Sequence, residues 1–72
     1  MKDTKELAKL IVGHGLEGCD RRFIYKHFQH DSMIKNMIAY YRHTQMVEID
    51  ENTIPDLMFE VNQVLAEIIG YV

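Results

Sequence analysis

Four side chains could hold a metal ion: His14, Cys19, His27 and His30, in the spacing H-x4-C-x7-H-x2-H. Imidazole and thiolate are ligands that Zn²⁺ accepts in tetrahedral geometry. His27 and His30, three residues apart, would share one side of a helix. Zinc sites are normally built from two close ligand pairs, however, and His14 and Cys19 flank the stretch GHGLEGC with no tight CxxC-like turn. His27 also falls on the apolar side of its predicted helix, where a packed histidine is the commoner occupant. The reading is of no metal site and no cofactor.

Catalysis has even less support. Cys19 and a histidine supply a thiol and a base, but such a pair needs an orienting third group and a pocket. A helical bundle of 72 residues has little concave volume for a substrate. Gly13, Gly15 and Gly18 lack the preceding strand and the spacing of a phosphate-binding loop. Glu48, Asp50 and Glu51 lack the pattern of a calcium loop and read as a solvated turn. No catalytic residue is assigned, and the chain is expected not to be an enzyme.

The elements that would position these residues follow from caps and periodicity. Asp3 and Glu6 have capping-box spacing, and Leu7, Leu10 and Ile11 give one apolar face, so a short helix is expected from about 4 to 12. Gly13, Gly15 and Gly18 are expected to stop it. Asp20 caps a second helix to about 30, with Phe23, Ile24, His27 and Phe28 inward and Arg22, Lys26 and Gln29 outward. Asp31 or Ser32 caps a third, with Met33, Ile34, Met37, Ile38 and Tyr41 inward and Lys35, Asn36, Arg42 and His43 outward. The two stripes differ in direction by roughly 100°, so the chain is expected to bend near Asp31 and Ser32.

Residues 45–50, QMVEID, alternate like a short strand, but no second strand is evident and an extended connector is expected. Thr53 and Asp56 form the clearest capping box, with Pro55 acceptable in the first turn. The last helix should run from about 54 to 69, with Ile54, Leu57, Met58, Val61, Val64, Leu65, Ile68 and Ile69 in an arc of about 140°. Asp56, Glu60, Gln63 and Glu67 take the other side, and Gly70 is a natural stop. The fold class is all-α: a small bundle of three to four short helices, with room for one extended segment near 46–49. Residues 1–72 read as a single small helical domain.

Composition narrows the function classes. Hydrophobic residues make up 47% of the chain, enough for a packed core. Nothing approaches the roughly 20 apolar residues of a membrane span. A lone cysteine and no amino-terminal signal segment point to a reducing, cytoplasmic setting. The formal charge of -3 is uneven. Residues 1–46 hold eight Lys and Arg against five acids, and residues 47–72 hold six acids and no Lys or Arg.

A chain this short buries only about 60% of its unfolded surface, so a partner surface is expected to help it. The leading expectation is a small non-enzymatic regulatory or adaptor protein that binds protein and self-associates through its carboxyl-terminal helix. The interface would comprise Leu57, Phe59, Val61, Val64, Leu65 and Ile68, and the most economical partner is a second copy across a two-fold axis. Tyr25 and Phe59 stand out because each projects onto the polar side of its helix. The alternative is a helix-turn-helix-like DNA-binding domain: ELAKL resembles the first helix of such units, and the helix at about 20–30 would present Arg21, Arg22, Tyr25, Lys26 and Gln29. Against it stand the long link between these helices, the missing return strand of a wing after MVEID, and the acidic last helix.

Overall fold

A computed structural model describes residues 3–70 as four α-helices: α1 (Thr4–Gly18), α2 (Arg21–His27), α3 (Asp31–Gln45) and α4 (Ile54–Ile69). A 3-10 turn, Glu51–Thr53, leads into α4. The described residues contain no strand, so the fold is the expected small all-α bundle. Residues 46–50 carry no regular structure, and buried Ile49 pins this connector to the core.

The main departure from expectation is α1, which does not stop near residue 12 but runs through Gly13 and Gly15 and ends on Gly18. Gly15 and Gly18 lie three residues apart on one side of the helix, and α3 crosses there. A Cβ on Gly15 would sit 2.7 Å from Met37 Cε, and one on Gly18 would collide with the Tyr40 hydroxyl and lie 3.0 Å from Tyr40 Cζ. Both glycines keep negative φ, so they serve close approach of a neighbouring helix and not a left-handed turn. The helix stops at Cys19, which is extended, with its N–H donating to Gly15 O at 2.8 Å. Arg21 Nε donates to Leu16 O at 3.2 Å, satisfying a second terminal carbonyl.

The buried face of α1 also differs from the expected one. Ala8, Ile11, Val12 and Gly15 are buried, while Leu10 is 43% exposed. Leu10 stands about 160° round the helix from both Ala8 and Val12, so it cannot join a face centred on them. α1 packs most extensively on α4 and next on α3.

The caps divide between expected and not. The Asp20 carboxylate accepts from Arg22 N at 3.0 Å, as its position predicts. Asp3 makes no side-chain cap. α2 ends at His27, short of the expected 30, and His30 N–H donates to His27 O before α3 begins. His30, not Asp31 or Ser32, occupies the cap position of α3. Thr53 makes no cap either, because the preceding 3-10 turn holds it at φ -86°, ψ -18°, helical angles unlike those of a capping residue. Asp50 caps that turn instead, accepting from Asn52 N at 2.9 Å. α4 keeps its expected bounds and ends at Gly70, φ 84°.

On α3 all five residues expected inward are buried. On α2, Ile24 and Phe28 are buried, but Phe23 is 56% exposed because the helix is too short to be wrapped on that side.

The glycines give a test with opposite signs. Gly13 is exposed, helical and has nothing within 4 Å of an added Cβ. Gly13→Ala is expected to stabilise the chain by about 0.5–1 kcal/mol through helix propensity. Gly18→Ala should destabilise it, because the rigid Tyr40 ring must move. Urea denaturation of the two variants beside the parent chain measures both.

Candidate functional site

His14 projects from α1 onto α3. Its Nε2 lies 2.6 Å from Thr44 Oγ1, and Thr44 Oγ1 in turn lies 2.8 Å from Tyr40 O. A hydroxyl has one proton, and a carbonyl can only accept, so Thr44 donates to Tyr40 O and accepts from His14. His14 Nε2 therefore carries a hydrogen. The imidazole also stacks on Tyr40 at 5.1 Å and meets Tyr41 edge-on at 5.7 Å. These contacts make His14 a clasp between two helices.

His27 and His30 do come together, with ring centroids 5.4 Å apart and Phe23 4.5 Å from His27. They line a shallow cleft with Ser32, Met33 and Asn36. Cys19 is exposed at the end of α1. Among the described residues no three His, Cys, Asp or Glu side chains converge on a common point, so His14 and Cys19 do not join the histidine pair as a ligand set.

The residues expected to form an interface on α4 are divided. Leu57, Val61 and Leu65 have no exposure and belong to the core of the same chain. They cannot centre a contact with another molecule. The reason is the packing of α1 on α4: the buried Ala8, Ile11 and Val12 share one core with these three residues. Val64 is half-buried, while Phe59 and Ile68 remain 60% and 49% exposed. Those two are nine residues apart, about 180° round α4, so they do not form one patch.

Phe59 stands where two grooves meet. One, about 520 Å³, runs between α4 and the start of α3 past Asp31, Ile34, Pro55 and Met58. The other, about 530 Å³, lies between α1 and α4, with Lys5 and Lys9 on one wall and Glu60 and Glu67 on the opposite wall. Asn62 borders the first groove and donates from Nδ2 to Phe28 O at 3.0 Å, fixing α4 to the end of α2. A further groove of about 330 Å³ continues along α3 past Lys35, Ala39 and Arg42 to Glu51 and Ile54. The sequence marks Phe59 through its place on the polar side of its helix. It does not mark the neighbouring α3 stripe, whose members look like ordinary solvated charges.

Of the alternative DNA-contacting set, Arg22, Tyr25, Lys26 and Gln29 are exposed, and Arg21 is engaged with the Leu16 carbonyl. The helix that presents them has only seven residues. No helix among the described residues is long and apolar enough to cross a membrane. No protein-family model, curated protein or solved structure matches this chain.

The His14 clasp is measurable. Thr44→Val should remove both hydrogen bonds and cost about 1–2 kcal/mol, and His14→Ala a similar amount. A double-mutant cycle is expected to give a coupling energy of about 0.5 kcal/mol or more, whereas additive losses would mean that the two side chains act independently.

Proposed function

We propose that this chain is a small non-enzymatic regulatory or adaptor protein that acts by binding protein at the Phe59 side of α4. The observation that carries the reading is Phe59 itself, a large aromatic 60% exposed on the polar side of a helix whose apolar stripe, Ile68 apart, is largely covered. Aromatic side chains that project from a rigid helix beside grooves are typical anchors of protein contacts, because they bury much area for little lost side-chain freedom. One groove beside Phe59 mixes apolar lining with the acid Asp31, and the other is lined by charges of both signs, which favours a folded or helical partner over a small ligand. A duplex-DNA reading ranks second and draws on exposed Arg22 and Lys26, at i and i+4 on α2, with exposed Gln29 in the turn that follows. Salt-sensitive duplex binding lost on Arg22→Ala would promote it.

The test is a photo-cross-linking residue placed at position 59 in the source cell. A discrete protein adduct is expected from position 59 and not from exposed position 17 on α1. Equal or no adduct at both positions would overturn the proposal.

A further inference from the structure

The cleft at the junction of α2 and α3 carries two imidazoles and a thioether, and the geometry points to a site for a soft monovalent metal ion, Cu(I), held by His27, His30 and Met33. The cleft measures about 290 Å³, and all three side chains line it. His27 closes α2 and His30 precedes α3, and the His30 N–H donates to His27 O at 3.0 Å. His30 O in turn accepts from the Met33 N–H at 3.1 Å. Two successive turns thus fix the backbone of the three residues.

The imidazole rings are spaced for one shared ion. A metal bonded to a ring nitrogen at about 2.0 Å lies about 3.2 Å from the centre of that ring, so two rings on one ion have centroids from about 5.2 Å apart at a tetrahedral angle to about 6.4 Å apart at a linear one. The His27 and His30 centroids are 5.4 Å apart. His30 is exposed and its side chain makes no cap, so its ring can turn a nitrogen toward the ion. Met33 is only 6% exposed and lines the same cleft, which gives the site a flexible thioether at its inner wall.

The donors decide which ion fits. Imidazole suits copper, zinc, iron and nickel, whereas a thioether selects the soft ion Cu(I). Among the described residues no carboxylate lines this cleft, and its other members, Phe23, Ser32 and Asn36, are neutral. Asp31 follows His30 in the chain but lines the groove beside Phe59 instead. A divalent ion would find no anionic ligand here, and Zn²⁺ would lack the fourth protein donor of a structural site. Cu(I) is satisfied by two or three neutral soft ligands. His14 stays outside the set, its Nε2 lying against Thr44 Oγ1 at 2.6 Å.

The inference is independent of the protein-binding reading, since none of the three ligands lines a groove beside Phe59. The probe is Ag(I), which shares the charge, softness and low coordination number of Cu(I) and is stable in air. Cys19 is an exposed thiol that would capture the same ion alone, so the full chain is titrated as Cys19→Ser in chloride-free buffer. Calorimetry is expected to show one ion per chain with a Kd of about 10 μM or tighter, and Zn²⁺ at least about tenfold weaker. The ring Cε1–H signals of His27 and His30 should shift on binding while that of His14 stays in place. His27→Ala and His30→Ala should each weaken binding at least about tenfold, and the volume-conserving Met33→Leu at least about threefold, with unchanged circular dichroism. No binding, binding indifferent to either histidine change or to Met33→Leu, or Zn²⁺ held as tightly as Ag(I) would each overturn the site.

Discussion

The close approach of α3 to the second half of α1 is the constraint on which the rest of the structure depends. It requires that Gly15 and Gly18 have no side chains, because Met37 and Tyr40 occupy the space a Cβ would fill. Each glycine in a helix interior costs about 1 kcal/mol in propensity relative to alanine. Contact with α3 offsets that cost and carries the helix on to Gly18. The first part of the same helix places Ala8, Ile11 and Val12 in one core with Leu57, Val61 and Leu65, which lose all contact with water.

Because the chain is short, the polar contacts act mainly at the ends of elements. Arg21 fastens α2 to the Leu16 carbonyl of α1, Asn62 fastens α4 to the end of α2, and His14 with Thr44 fastens the carboxyl-terminal halves of α1 and α3. Each bond contributes only about 1 kcal/mol net, but each fixes an angle that apolar packing alone leaves loose. Most of the apolar stripe of α4 is consumed inside the chain, Ile68 excepted, and in the proposed reading recognition of a partner falls to what projects outward, Phe59 above all.

Where an element is governed by its own residues, the sequence was sufficient. The bounds of α4, its stop at Gly70, the Asp20 cap and the five buried residues of α3 follow from local chemistry and the 3.6-residue period. Where a neighbour decides, it was not. Glycine has the same propensity whether it ends a helix or admits another, and only the position of Met37 and Tyr40 distinguishes the two cases. Thr53 has ideal capping spacing yet is already helical because of the turn before it. Leu10 fits an apolar stripe but lies off the face that Gly15 selects. The α4 residues read as an interface had the correct hydrophobicity, but the sequence does not reveal that α1 packs on them within the same chain. Phe59 was legible as an outward aromatic; its α3 neighbours were not, since nothing in the chain order places Asp31 and Lys35 beside Pro55 and Ile54.

Amide hydrogen exchange measured residue by residue in the intact chain tests most directly whether α1 is one continuous helix through its glycines. Slow exchange at Gly15, Leu16, Glu17 and Gly18, and at Cys19 through its bond to Gly15 O, is the result that this account predicts. Exchange at unprotected rates from Gly13 onward, with α3 and α4 still protected, would contradict it.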